Sequence, residues 1–239
     1  MQAVIIAAGQ GTRLSAVSDS KPLTPVAGVP LVERIVATAF GAGVDRFVVV
    51  TGYNSGKIGE FLPALASRLS VAITTVHNPE WEKANGLSVL RARGYVEDPF
   101  LLMMADHLFD GATMRRMSAL PIAPGETVLA VDRRIENHPL VDMDDVTRVK
   151  TQDGRIVSIG KSLPSFDCFD TGLFLCTSGL FSAIEESAAA MDCSLSGGMR
   201  LLAARGAARV FDIGDAFWLD VDDEAALAKA ERHVAAAGD

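Results

Sequence analysis

Residues 1–26 read MQAVIIAAGQGTRLSAVSDSKPLTPV, and the fold follows from how this stretch is parsed. Val4, Ile5 and Ile6 form a short, wholly apolar run, the pattern of a central strand buried on both faces. The loop after it has little to pack. Gly9 and Gly11 let the backbone approach a ligand closely, and Thr12, Arg13 and Lys21 bring a hydroxyl and two positive charges to the same neighbourhood. That is the chemistry of a phosphate cradle. Pro22 pushes the Lys21 backbone towards extended geometry and Pro25 keeps the segment from closing into helix, so a stiff, extended strap is expected to present the lysine. A plain glycine-rich turn would need neither cation. The dinucleotide fingerprint G-x-G-x-x-G fails at Leu14, where its third glycine should stand, and no helix opens directly after the loop.

The 239 residues suffice for one large domain or two small ones, with 49% hydrophobic residues to fill a core. A net charge of -8 argues against general binding to nucleic acid or anionic membranes, yet leaves room for a local cationic pocket. Cys168, Cys176 and Cys193 are odd in number and lack C-x-x-C spacing, so neither a disulfide framework nor a zinc site is expected. A reducing cytoplasm suits them. No apolar run reaches the length of a membrane span, and the chain enters a strand at once without a basic leader, which predicts a soluble, untargeted protein with no direct membrane insertion.

Outward from the first strand, Pro30 stands at a first helical position, and Leu31, Val32, Ile35, Val36, Ala39 and Phe40 recur at helical spacing. Residues 46–51 and 71–76 read as strands around a helix over 58–69. Strand and helix alternating at this interval predict a parallel sheet with right-handed crossovers. Residues 77–88 (HNPEWEKANGLS) break the rhythm, and turns at Asn78-Pro79 and Asn85-Gly86 would account for that. Residues 100–105 (FLLMMA) form an uninterrupted apolar strand ending in Asp106. At the carboxyl end of a parallel strand, Asp106 should face the phosphates; a carboxylate belongs there only with a cation between, and magnesium takes oxygen ligands. His107 reads as a loop side chain. Strands are expected at 128–131, 146–150, 155–159 and 169–177, with a hairpin at Asp153-Gly154. Helices follow at 180–190 and 195–204, a strand at 208–213 and a last helix at 224–236. In FWLDVDD, residues 217–223, strand alternation would put Asp220 and Asp222 on one face, able to converge on one cation, although either could cap the last helix.

AAGQGTRL followed by SKPLTPVAGVPLVER resembles the amino-terminal signature of the nucleotidylyltransferases that join a nucleoside triphosphate to a sugar or alcohol phosphate. DMDDVTRV, IGK and DTGLF, over residues 142–149, 159–161 and 170–174, are most similar to the inositol-1-phosphate cytidylyltransferase branch. On local sequence the acidic run at 142–145 is a solvated turn. The resemblance implies an α/β, Rossmann-like (GT-A-like) fold, with a mainly parallel sheet flanked by helices and a small β-rich acceptor lobe. It also implies a single domain over 1–239, with 1–110 the nucleotide-binding half and 111–239 the acceptor half that completes the metal site.

The resemblance further implies catalysis by Arg13, Lys21 and Lys161. Nucleotide contacts would come from Ala7, Ala8, Gly9, Gly11, Thr12, Asn85 and Gly86. Asn85 would offer both donor and acceptor to a pyrimidine edge, with Ser88 a weaker candidate or a helix cap. Lys161 and Asp170 would hold the acceptor, and Asp106 with Asp220 or Asp222 a magnesium ion. The implied partners are CTP and a phosphorylated small-molecule acceptor such as inositol 1-phosphate. Some enzymes of this branch are fused to a membrane-embedded synthase, so a chain stopping at Asp239 would need a separate one. A uridylyl- or cytidylyltransferase acting on a hexose 1-phosphate, choline phosphate or phosphonate remains open. So does a metal-dependent glycosyltransferase, although that would not need the Arg13 and Lys21 cradle, or a non-catalytic nucleotide-binding regulatory domain, which would not need a metal-bridged leaving group.

Overall fold

The apolar run near the amino terminus forms β1 (Gln2–Ala7), paired on both sides with parallel strands in the computed structural model, which describes residues 1–136 and 138–237. Its neighbours are β4 (Arg46–Thr51) and β6 (Phe100–Met104), reached after a small hairpin of β2 (Pro25–Val26) with β3 (Val29–Pro30). The crossovers run through α1 (Leu31–Gly41), α2 (Ser55–Leu69), β5 (Ala72–His77) and α3 (Gly86–Arg91). Beyond β6 come β7 (His107–Phe109), α4 (Gly111–Ser118), β8 (Thr127–Asp132), β9 (Arg148–Gln152), β10 (Arg155–Gly160) and β11 (Cys168–Cys176). The chain closes through α5 (Gly179–Ala189), α6 (Leu195–Ala204), β12 (Ala208–Asp212), β13 (Trp218–Asp220) and α7 (Glu224–Ala237).

Nine strands form one sheet in the order β5-β4-β1-β6-β11-β8-β12-β10-β9. The first four are parallel, as the alternation of strand and helix predicts. The other half is mixed: β12 is parallel to β8, whereas β11 is antiparallel to both β6 and β8, and β10 to both β12 and β9. The cause is local at the β9–β10 hairpin. Asp153 (φ 50°) and Gly154 (φ 74°) form a two-residue turn of the twist that antiparallel ribbons favour.

Side chains of β1 alternate between the two layers: Ala3, Ile5 and Ala7 pack with Leu62 of α2 and Ile35 of α1, whereas Val4 and Ile6 pack with Val89 of α3 and Ile184 of α5. Each fully buried large apolar side chain contributes on the order of 1.5–3 kcal/mol. Two helix details differ from expectation. Pro30 is the residue before α1 rather than its first, with ψ 143°. Phe40, counted on the buried stripe, is 43% exposed, because at about 100° per residue it falls about 100° from the stripe's centre. Among the described residues no helix is long and apolar enough to cross a membrane, and Cys168, Cys176 and Cys193 are all free.

The consequence for function lies at the carboxyl ends of the parallel strands. β1 ends at Ala7 and β6 at Met104, so residues 8–21 and Asp106 leave the sheet on the same side. A second, two-stranded ribbon then pairs β13 with β7, setting Asp220 opposite His107.

Candidate active site

The glycine loop is shaped around Lys21. Gly11 has φ 65° and leads into a single 3-10 turn, Thr12–Leu14, whose Leu14 is fully buried. A Cβ at Gly11 would lie 2.4 Å from the Lys21 Cβ, so the lysine stem passes only because that side chain is missing. Lys21 itself begins a second 3-10 turn, Lys21–Leu23, instead of the expected extended strap. Pro22 fits there because an amide in the first turn has no intrahelical partner to lose. Gly11→Ala is expected to cost about 1–3 kcal/mol through the left-handed backbone and the clash with Lys21. Calorimetry would read this as a lower Tm; an unchanged Tm would mean the stem has room to move.

Lys21 is 8% exposed and ends among carboxylates. Its Nζ lies 2.5 Å from Asp106 Oδ2 and 4.0 Å from Asp220 Oδ1, and it pairs closely with Asp222. Arg13 pairs with both Asp222 and Asp145, and Asp145 in turn with Lys161. Residues from the start, middle and end of the chain thus form one ion network. Asp145 was expected to be part of a solvated acidic turn; its side chain is 28% exposed and joins two cations.

His107 corrects another expectation. It lies in β7, not a loop, and its Nδ1 is 2.7 Å from Asp106 Oδ1 and 3.7 Å from Asp220 Oδ1. The ring fits because Gly172 lacks a side chain: a Cβ there would lie 2.6 Å from His107 Cδ2. Burial opposes charge on His107, but Asp220 and Asp106 outweigh it and hold its pKa up at about 9. Burial likewise pushes Asp106 upward, and Lys21 and His107 outweigh that and hold its carboxyl well below the ordinary range. Asp220 is raised, because burial and the Asp106 charge exceed the pull of His107 and Lys21.

Neither Asp106 nor the pair near the carboxyl terminus is a helix cap. Asp110 Oδ1 accepts from Ala112 N–H to cap α4, and Asp223 Oδ1 accepts from Ala226 N–H in the first turn of α7. Asp220 and Asp222 do not share a strand face, since β13 ends at Asp220. They divide the work: Asp222 holds Lys21 and Arg13, while Asp220 stays beside Asp106 and His107. Asp106, His107 and Asp220 each offer a ligand atom, all within 4.8 Å of one another. Asp220 Oδ1 is buried with no hydrogen-bond partner among the described residues. An orphaned carboxylate oxygen next to a second carboxylate fits a hard divalent cation.

Two cavities open onto this network. One, about 260 Å³, is lined by Ala7, Gly9, Gly11, Thr12 and Lys21. The other, about 520 Å³, is lined by Asn85, Asp145, Lys161, Asp170 and Asp220. Both share Arg13, Asp106 and Asp222. Ala8 lies outside both linings, its carbonyl taken by Tyr53 N–H. Gly86 is also outside them and is a packing residue: a Cβ there would lie 2.3 Å from the Cys193 carbonyl oxygen. Asn85 Oδ1 accepts from Leu195 N–H, which leaves mainly the donor side of its amide for a ligand. Ser88 is neither base contact nor cap, because it is buried and accepts from Asn78 Nδ2.

Asp170 accepts from Gly172 N–H, and burial raises its pKa to about 6. A carboxyl raised on folding contributes stability that is present below its unfolded pKa and is lost as pH rises through about 6. Asp170→Asn is therefore expected to flatten the fall in unfolding free energy across that interval in urea titrations. An unchanged slope would remove Asp170 as its source.

Residues 3–152 match the family model of the MobA-like NTP transferase domain. The chain is 34% identical over 243 residues to the "Bifunctional IPC transferase and DIPP synthase" of Rubrobacter xylanophilus, covering 97% of this chain and 51% of that protein. It is 32% identical to the protein of the same name from Archaeoglobus fulgidus, covering 99% and 44%. It thus spans about half the length of these curated relatives. The solved inositol-1-phosphate CTP transferase from T. maritima superposes with a TM-score of 0.83 at 28% identity over 96% of both chains.

Proposed function

We propose, from the premise that the chain belongs to the MobA-like NTP transferase family, that it joins CTP to inositol 1-phosphate, giving CDP-inositol and pyrophosphate. The observation that carries this reading is the meeting of two cavities at Arg13, Asp106 and Asp222, one beside the glycine loop and one beside Lys161. A transferase needs two such sites with the reacting groups at their junction. The likeness to the inositol-1-phosphate CTP transferase supports the choice of substrates.

In this reading residues 1–110 supply the nucleotide side, and residues 111–239 the acceptor side and the last metal carboxylates. An acceptor phosphate oxygen attacks the α-phosphorus in line. Two unit negative charges about 4 Å apart repel by about 4 kcal/mol at an effective dielectric of about 20, so the chain must supply compensating charge. Arg13 and Lys21 would take the triphosphate and the departing pyrophosphate, and Lys161 the acceptor phosphate. Asp170 would accept from a polyol hydroxyl, and Asn85, in the same cavity, would donate to a base that reaches across the junction. Asp106 and Asp220 would hold magnesium, which when bound supplies positive charge at the reacting phosphate. The acceptor is ionised at neutral pH, so no side chain need remove a proton from it. Asp145 and Asp222 hold Arg13, Lys21 and Lys161 in place until phosphates replace them. The reducing cytoplasm is the setting in which this reaction would run.

The test is pyrophosphate release from CTP, UTP, ATP and GTP, each with inositol 1-phosphate, a hexose 1-phosphate, choline phosphate and a phosphonate. CTP with inositol 1-phosphate is expected to give the highest kcat/KM. Turnover confined to UTP with a hexose phosphate would overturn the assignment.

A further inference from the structure

Asp132, at the end of β8, is a carboxylate with no solvent exposure at all. Burying such a group is costly unless its oxygens are fully satisfied. Here they are. Oδ1 accepts from Arg134 N–H at 2.9 Å and from Arg134 Nε at 2.9 Å. Oδ2 accepts from Arg134 Nη2 at 2.7 Å and from Trp218 Nε1 at 2.7 Å, and lies 3.0 Å from His138 Nε2. Arg134 alone would neutralise the charge. The other two donors come from elements that have no need of each other.

Each donor leads to one wall of the 520 Å³ cavity. Trp218 opens β13, two residues before Asp220, and its ring centroid lies 6.4 Å from that of His107. His138 opens the segment that carries Leu140, Val141, Asp142 and Asp145 into the same cavity. Its Nδ1 accepts from Leu140 N–H at 3.3 Å, which leaves the proton on Nε2 to be donated to Asp132. One carboxylate therefore ties the strand of the cation site to the wall that holds Arg13 and Lys161 through Asp145.

We propose that Asp132 is a positioning residue: by accepting from Trp218 and His138 together, it sets the distance between the Asp220 carboxylate and the acceptor wall of the cavity. The acceptor side of this statement rests on the proposed function; the cation side does not. Groups that orient metal ligands from behind typically change metal affinity about 10- to 100-fold when removed.

Three variants test it, with manganese(II) binding followed by electron paramagnetic resonance, amide hydrogen exchange over residues 139–146, and steady-state kinetics. Trp218→Phe removes one donor and should weaken manganese binding about tenfold while leaving exchange over 139–146 unchanged. His138→Leu should do the reverse: faster exchange over 139–146 and an acceptor KM raised about tenfold, with manganese affinity and nucleotide KM retained. Asp132→Asn should show both effects, and the two single variants decide the matter should it fail to fold. Variants that lower Tm yet keep manganese affinity, exchange over 139–146 and the ratio of acceptor to nucleotide KM within about twofold would reduce Asp132 to a core residue and overturn the proposal. If no triphosphate and acceptor pair releases pyrophosphate, the functional reading fails by itself, and manganese binding and hydrogen exchange still decide the role of Asp132.

Discussion

Lys21→Ala should lower kcat for pyrophosphate release by about 100- to 1,000-fold, the scale of losing one fixed charge-stabilising group at a reacting centre. The lysine side chain is 9% exposed and faces Asp106, Asp220 and Asp222 together, so its loss removes the one ammonium among the described residues that reaches all three. Arg13 is already committed to Asp145 and Asp222. The fold should survive, because the three carboxylates keep 26%, 36% and 22% of their side-chain exposure and water screens what the lysine no longer neutralises. A loss nearer about 1 kcal/mol than the 3–5 kcal/mol of a closed pair is expected. Lys21→Arg should restore little. The stem runs against Gly11, and a planar guanidinium cannot occupy the point from which an ammonium reaches three carboxylates. Full turnover by Lys21→Ala at saturating CTP would remove the residue from the mechanism.

Asp220→Asn should lower kcat by a similar factor and abolish its dependence on divalent cation, since it keeps the shape of the side chain and removes the charge on the orphaned Oδ1. Asp222→Asn offers the contrast. Asp222 binds Lys21 and Arg13, so its loss should change the KM for the triphosphate and leave the divalent-cation requirement in place. A magnesium titration of both variants separates the roles. Loss of the requirement in Asp222→Asn, with retention in Asp220→Asn, would reverse the assignment.

What could be read from sequence and what could not divide along physical lines. β1, β4 and β6 are continuous apolar runs because strands buried on both faces have no polar side to alternate with. Arg13, Lys21 and Asp106 stood out because charges beside a glycine loop and at the end of such a strand have no packing reason to be there. His107 and Asp145 did not. β7 is three residues long and pairs with β13 across 113 positions (220 against 107), so nothing in the neighbouring sequence marks it as strand. Asp145 meets Arg13 across a separation of 132 residues, and a bridging carboxylate there looks locally like a solvated turn. The β9–β10 hairpin was legible from Asp153-Gly154, but the pairing of β11 with β6 and β8 was not, because periodicity reports which residues are strand, not which strands are neighbours. Ser88 and Phe40 show the limit at single residues, where a buried hydroxyl resembles a cap and an edge position resembles a core one.

The bridge that Asp145 makes between Arg13 and Lys161 sets the terms on which anything can bind there. An incoming anion displaces a tethered competitor already charged and held in position, so only the surplus of its charge over one carboxylate is converted into affinity. Chloride or acetate, each carrying a single charge, has no surplus and must also give up its freedom of movement. A triphosphate or a dianionic phosphate ester has one. Such a bridge would disfavour monovalent anions between Arg13 and Lys161 while leaving room for multiply charged ones.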